Sequence, residues 1–172
     1  PEGEVVALFG LVRQFLLEQS PHWVARGIRL RVIGRRDRLP TPLRAAIASA
    51  EDATSAGQGM QLRIAVDYSA REEILRTATR FYTTLEISQE AFGRMLARLS
   101  HAGENFPNVD LLIRTGGEQR LSDFLLWECA YAEMIFSKKL WPDFGEADLE
   151  AAIREYQTRP RRFGRLPEEK AG

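Results

Sequence analysis

Two hydrophobic periods alternate along this chain, and that alternation most constrains its fold. Ile28-Arg-Leu-Arg-Val-Ile33 and Leu62, Ile64, Val66 show the two-residue period of half-buried strands. Val109 and Leu111-Leu-Ile113 around Asp110 read as a short buried strand, and Met134-Ile-Phe136 as another. Helical spacing fills the intervals. Val5, Leu8, Phe9, Val12, Phe15 and Leu16 predict an amphipathic helix over 3–19. Thr41-Pro42 opens an alanine-rich helix to about residue 56. Ile74, Leu75, Ala78 and Phe81 mark a helix from Glu72, and Ser88 caps one carrying Phe92, Met95, Leu96 and Leu99. Ser122 to about Ala130 reads as a short apolar helix, and Leu149, Ala152, Ile153 and Tyr156 form the last one. Strands alternating with helices predict an α/β fold, a mainly parallel central sheet with helices packed around it. Ligands of such sheets bind beyond the carboxyl ends of the strands. Arg114 and Tyr68-Ser-Ala-Arg71 both follow strands there.

At 172 residues the size prior gives a single domain spanning 1–172, long enough for a real core. The 24 basic and 24 acidic side chains cancel, so bulk attraction to nucleic acid has no support. The local clusters Arg35-Arg36-Asp37-Arg38 and Arg159-Pro-Arg-Arg162 read as solvated faces. A lone cysteine, Cys129, excludes an internal disulfide and reads as a buried, inert thiol in an apolar helix. No stretch reaches the ~18–20 apolar residues of a membrane span. A cytoplasmic location is expected.

The run Asp110-Leu-Leu-Ile-Arg-Thr-Gly-Gly-Glu-Gln-Arg-Leu-Ser122 carries the chemistry. A strand meets Arg114, a Gly-Gly turn, Arg120 and a serine suited to cap a helix. Two guanidinium forks, free backbone N–H groups and a hydroxyl would suit an anion with several oxygens, above all a diphosphate. A plain turn with surface arginines is the bland alternative. Glu133, just ahead of the 134–136 strand, could hold Mg²⁺ against phosphate oxygens or simply pair with an arginine. No HxxxH, CxxC or DxxD pair occurs, and the lysine of a nucleotide P-loop is missing. His22 and His101 are isolated and read as surface or helix-end groups.

From Asp110 to Gly164 the chain resembles the cis-prenyltransferase family, the undecaprenyl diphosphate synthases in particular. The resemblance rests on Asp110 through Trp127, Ala130-Tyr-Ala-Glu133, Leu140-Trp-Pro-Asp-Phe144 and Arg161-Arg-Phe-Gly164. Pro1 to Val5, Arg29 to Gly34 and Leu62 to Arg71 match more loosely. Members begin with a strand and an Asp-Gly-Asn-Gly-Arg-Trp element whose aspartate is the central catalytic, Mg²⁺-associated residue. These residues hold neither that element nor the Ser-x-x-Asn-Trp segment after it. The expectation is that they form the C-terminal two-thirds of a full enzyme, lacking its first strand and helices, and that they do not turn over substrate alone. An intact mass near 19.5 kDa for the purified protein would argue against this.

The resemblance implies cis-condensation of isopentenyl diphosphate onto an allylic diphosphate such as farnesyl diphosphate. The product would be a long-chain Z-polyprenyl diphosphate, undecaprenyl diphosphate for a cell-wall lipid carrier. Arg114, Arg120 and Ser122 would bind the isopentenyl diphosphate, with Arg162 and Gly164 of the tail completing that site across a homodimer; Arg71 is another candidate site residue. Glu133 would help hold Mg²⁺, from the partner subunit's side or beside the absent aspartate. A peripheral membrane contact would serve product release. Trp127, Trp141 and Phe144 read as core or interface packing. Met60, Leu62, Ile64 and the helix at 5–16 are candidates for lining an apolar tunnel, though plain core gives the same signal. Asp67-Tyr-Ser-Ala-Arg71 stands where the family has Asn-Tyr-Gly-Gly-Arg, Gly34-Arg35 where it has Gly-Asp, and Ser122-Asp-Phe124 where it has Ser-Asn-Phe. These departures leave a short-chain or specialised Z-prenyl diphosphate synthase as one alternative. A non-catalytic family subunit and a phosphate-binding regulatory module are the others.

Overall fold

Helix α1 (Glu2–Ala25) ends where Gly27 takes a left-handed φ of +64°. There Ile28 N–H donates to the Trp23 carbonyl at 2.9 Å and Gly27 N–H to Val24 at 3.1 Å, which closes the last turn. The helix runs past the predicted residue 19 and through Pro21. Proline removes one helical hydrogen bond, but buried Trp23 anchors the turn beyond it. The computed structural model describes residues 2–82, 87–103 and 106–159. The chain divides into two units, Pro1–Phe106 and Pro107–Gly172.

In the first unit, strand β1 (Arg29–Ile33) leads through helix α2 (Thr41–Ala53) to β2 (Gln61–Ala65), which pairs with β1 in parallel. Strand alternation sends Leu30 and Val32 into a core with Leu16, Trp23, Leu43 and Ile47, and Leu62 and Ile64 pack against it. The other edge of β1 is covered by side chains of α2. Leu30 N–H donates to Thr54 Oγ1 at 3.1 Å, and Val32 N–H to Glu51 Oε1 at 2.8 Å. After β1, Gly34 (φ +114°) lies so close to β2 that a Cβ would fall 2.2 Å from the Val66 carbonyl oxygen. Only glycine fits there.

Helices α3 (Ala70–Phe81) and α4 (Gln89–Leu99) follow, packed through an edge-to-face Phe81–Phe92 pair at 5.3 Å. Ser69 and Ser88 cap them by accepting from Glu72 N–H and Ala91 N–H at 3.1 and 3.0 Å. α3 thus starts two residues before the predicted Glu72. Helix α1 is apolar around most of its girth: Leu16 is buried, while Val6, Leu8 and Leu11 are exposed. Met60 is exposed as well.

The Arg35–Arg38 cluster is not a freely solvated face. Arg35 pairs with Asp37 at 2.6 Å and with Glu72; Arg38 forks onto Asp67 at 2.7 and 2.8 Å. The arginine at position 35, where the family has aspartate, thus finds its own carboxylates. Arg35 holds the Asp37 carboxyl well below the usual range.

In the second unit, β3 (Leu111–Arg114) and β4 (Glu133–Phe136) pair in parallel, Leu111 opposite Glu133 and Arg114 opposite Phe136. Helix α5 (Glu146–Thr158) closes the described chain. The helix expected from Ser122 to about Ala130 is absent. Ser122, Asp123 and Leu125 take positive φ of 49°, 65° and 45°, which a right-handed helix cannot hold. Cys129 is buried as expected, but in this turn-rich segment, and burial raises its thiol pKa. Trp141 is 76% exposed and stacks on Phe144, so within this chain it is not core. Among the described residues both strand pairs are parallel and helices flank them, as the alternation predicts, and no helix is long and apolar enough to cross a membrane.

Candidate functional site

Strand β3 delivers Arg114 to its carboxyl end, and the loop beyond turns on Gly116 and Gly117 at φ +88° and +80°. Their N–H groups are not free for a ligand. Gly116 N–H donates to Lys139 O at 2.7 Å and Gly117 N–H to Ser137 O at 2.9 Å, so they tie the loop to the segment after β4. The expectation of free backbone donors there is corrected.

Arg114 gathers the rest of the loop. Its Nη1 donates to the Arg120 carbonyl oxygen and, at 2.8 Å, to Ser122 Oγ. Ser122 is therefore not a helix cap; its hydroxyl accepts from the strand-end arginine. Three non-glycine residues held in left-handed backbone within four positions mark a loop fixed by its surroundings. Nε and Nη2 of Arg114 make no hydrogen bond among the described residues and remain available as a fork. The Arg120 guanidinium does not join Arg114. It pairs with Glu118 at 2.5 Å and stays mostly exposed. Arg114 and Ser122 are thus brought together, while Arg120 contributes its carbonyl and holds its charge on the loop's outer side.

Glu133 stands elsewhere. The parallel register puts it at the entry of β4, opposite Leu111, whereas Arg114 is at the exit of β3. Three residues of strand separate the two levels, about 10 Å at the strand rise. Arg159 donates to Glu133 Oε2 at 2.9 Å and to Glu155 at 2.5 Å, and these contacts raise the Arg159 pKa. Arg159 also reaches the Met134 carbonyl at 3.2 Å. In this chain Glu133 is an arginine-paired strand-edge carboxylate. Among the described residues no three His, Cys, Asp or Glu side chains group to cage a metal; Mg²⁺ commonly takes one or two carboxylates together with substrate phosphates. Arg71 lies on the first turn of α3, past the end of β2, in the other unit. Arg162 and Gly164 lie outside the described residues.

No sequence signal singled out Glu128. It is 5% exposed, its Oε2 has no hydrogen-bond partner among the described residues, and burial pushes its carboxyl up. Arg159 was visible only as part of a basic cluster; its carboxylate partners lie 4 and 26 residues away.

Comparison with known proteins follows from these features. A family model described as "Putative undecaprenyl diphosphate synthase" matches residues 1–164. Isoprenyl transferase 1 of Bradyrhizobium diazoefficiens is 49% identical over 96% of this chain, and the isoprenyl transferase of Geobacter sulfurreducens is 40% identical over 96%. The chain spans about two thirds of those relatives' lengths, 66% and 68%. Among solved structures, lavandulyl diphosphate synthase from Lavandula x intermedia, in complex with dimethylallyl diphosphate, matches with a TM-score of 0.87. It is 36% identical over 95% of this chain and 72% of its own. A probable undecaprenyl diphosphate synthase from Campylobacter jejuni matches with a TM-score of 0.82 and 34% identity over 95% and 76%.

Proposed function

Since the chain belongs to the prenyltransferase family of undecaprenyl diphosphate synthases, we propose that it serves a cis-prenyltransferase, condensing isopentenyl diphosphate onto an allylic diphosphate. The observation that carries this is the Arg114 fork, braced on Ser122 and the Arg120 carbonyl at the exit of a parallel strand. Its Nε and Nη2 would grip the isopentenyl diphosphate. The Ser122 hydroxyl accepts from Arg114 and so keeps its proton to donate to a phosphate oxygen. Arg120 would exchange Glu118 for the ligand. Arg162 and Gly164 are proposed to complete the site, Arg71 is a further candidate for binding a substrate phosphate, and residues 1–172 are proposed to act as one domain within a homodimer.

In the reaction the allylic C–O bond breaks and its electron pair leaves on diphosphate. The isopentenyl double bond forms the new C–C bond, and a proton is lost. What Arg114 and Ser122 contribute is position: a fixed nucleophilic double bond and donors already oriented. Magnesium, which family membership implies, would supply charge neutralisation on the diphosphates. A ligand role for Glu133 requires its contact with Arg159 to open. Undecaprenyl diphosphate as the product, a cytoplasmic location and a peripheral membrane contact belong to the same proposal.

Calorimetric titration of the chain with isopentenyl diphosphate tests it. Binding should saturate, and Arg114→Ala should weaken it by about ten- to a hundredfold, the loss of charge-assisted hydrogen bonds. Arg114→Lys keeps the charge without the fork and should recover only part. Equal affinity in all three proteins would refute the assignment.

A short-chain product is the second reading. It draws on the close match to lavandulyl diphosphate synthase and on Ser69-Ala70, where the cap geometry at Ser69 fixes the loop. Chromatography of products made from labelled isopentenyl diphosphate separates the two.

A further inference from the structure

Within the basic run 35–38, Arg36 behaves unlike its neighbours. It grips Glu51 at 2.6 and 2.9 Å, donates to the Val32 carbonyl at 2.7 Å, and its buried Nε has no partner among the described residues. Beside it opens a hollow of about 210 Å³ lined by Arg31, Arg36, Glu51, Arg98, His101 and Gly103. Among the described residues that line it, three arginines face one carboxylate, which leaves two positive charges in excess. That carboxylate is already committed to Arg36 and to the Val32 N–H. Among the described residues, the Arg31 and Arg98 guanidinium groups and the His101 imidazole make no hydrogen bond or ion pair.

Arg31 stands opposite Arg63 in the β1–β2 ladder, a like-charge pair that sheets disfavour. Burial first, and then Arg31, lower the Arg63 pKa. His101 reaches the wall from a left-handed backbone, φ +63°, a conformation non-glycine residues rarely hold. The volume is below the roughly 300–1,000 Å³ of drug-sized ligand sites and suits a small ion. Guanidinium forks match tetrahedral oxyanions in geometry as well as charge. We propose that this hollow binds a compact, free phosphoryl anion, inorganic phosphate or diphosphate. It is distinct in residues from the Arg114 loop and does not depend on the function proposed for that loop.

The chain has two histidines, so proton NMR reads the site directly. Partial burial first, and then the Arg36 charge, lower the His101 pKa; Glu51 opposes them, Arg76 adds to the lowering, and Asp37 opposes it least. Arg31 and Arg98 share its hollow. His22, in the last turn of α1, is the internal reference. At constant ionic strength, added inorganic phosphate should shift the His101 ring signals saturably and raise its titration midpoint, with His22 unmoved. Diphosphate should do the same at lower concentration. Arg98→Gln and, independently, Arg31→Gln should weaken the response by about tenfold. Arg114→Ala should leave it intact.

A linear drift shared by His22 or reproduced by chloride would overturn the proposal. So would full response in both glutamine variants, or loss of the response in Arg114→Ala. Phosphatidate vesicles distinguish the other source of a phosphoryl group. Sedimentation with vesicles that depends on Arg98, without any response to free phosphate, would overturn the free-anion site in favour of a lipid headgroup.

Discussion

Glu128→Gln perturbs the group whose burial and charge are most at odds in the second unit. The carboxyl is 5% exposed, one oxygen has no partner among the described residues, and no cation is among the causes of its shift. Burial raises its pKa above the ordinary 4.5. The folded chain therefore holds this proton more tightly than the unfolded chain. The stabilisation from the protonated carboxyl is complete below pH 4.5 and is lost as pH rises through the higher folded value. Towards neutral pH, keeping this buried carboxyl costs the fold about 1–3 kcal/mol, whether it holds its proton against solvent or ionises without a cation beside it. Glutamine keeps the shape and removes the charge, so it should stabilise the fold at pH 7 by about 1 kcal/mol. Methionine, which also removes the unpaired polar atom, should do at least as well. Urea denaturation midpoints at pH 4, 5.5 and 7 measure this. The advantage of Glu128→Gln should be large at pH 7 and shrink towards pH 4. A variant less stable than the parent at pH 7, with an unchanged pH slope, would refute the reasoning and imply a partner for the carboxylate.

Two further substitutions test the framework of the first unit. Gly34→Ala would drive a Cβ to 2.2 Å from the Val66 carbonyl oxygen at a φ of +114°; a loss of about 3 kcal/mol or more is expected by chemical denaturation. A loss under about 1 kcal/mol would mean that the strands can separate there at little cost. Ser88→Ala removes the acceptor for Ala91 N–H at the start of α4 and should cost about 1 kcal/mol, whereas Ser88→Asp should retain most of the stability.

The elements legible in the sequence are those set by local chemistry. Ser88 caps a helix because its hydroxyl meets an N–H three residues on, and nothing distant decides it. β1 and β2 follow from alternation, since one face meets the Leu43 and Ile47 side of α2. Residues 122–130 show where local reading fails. Phe124-Leu-Leu-Trp127 has the apolar content of a short helix, but Arg114, eight residues before Ser122, claims the serine hydroxyl and the Arg120 carbonyl. A left-handed backbone follows at Ser122, Asp123 and Leu125. No pattern within that segment encodes a bond made from outside it.

The same separation governs the candidate residues. Arg114 and Ser122 were readable as a pair because their link is a short-range one across a single loop. For Glu133, pairing with an arginine was one of two readings, and the structure shows it; which arginine was not legible, because Arg159 arrives at the end of α5, 26 residues later, and Glu133's position depends on the β3–β4 register. Charge behaves likewise. In the run 35–38 the sequence shows three arginines and one aspartate, but Asp67 and Glu72 take Arg38 and Arg35, and Glu51 takes Arg36. Neutralisation by distant carboxylates removes most of an apparent basic cluster. Arg31 and Arg98, which no one would group from their 67-residue separation, stand on one wall with no carboxylate partner among the described residues. Where folding leaves cations uncompensated, rather than where the sequence lists them, is what locates an anion site.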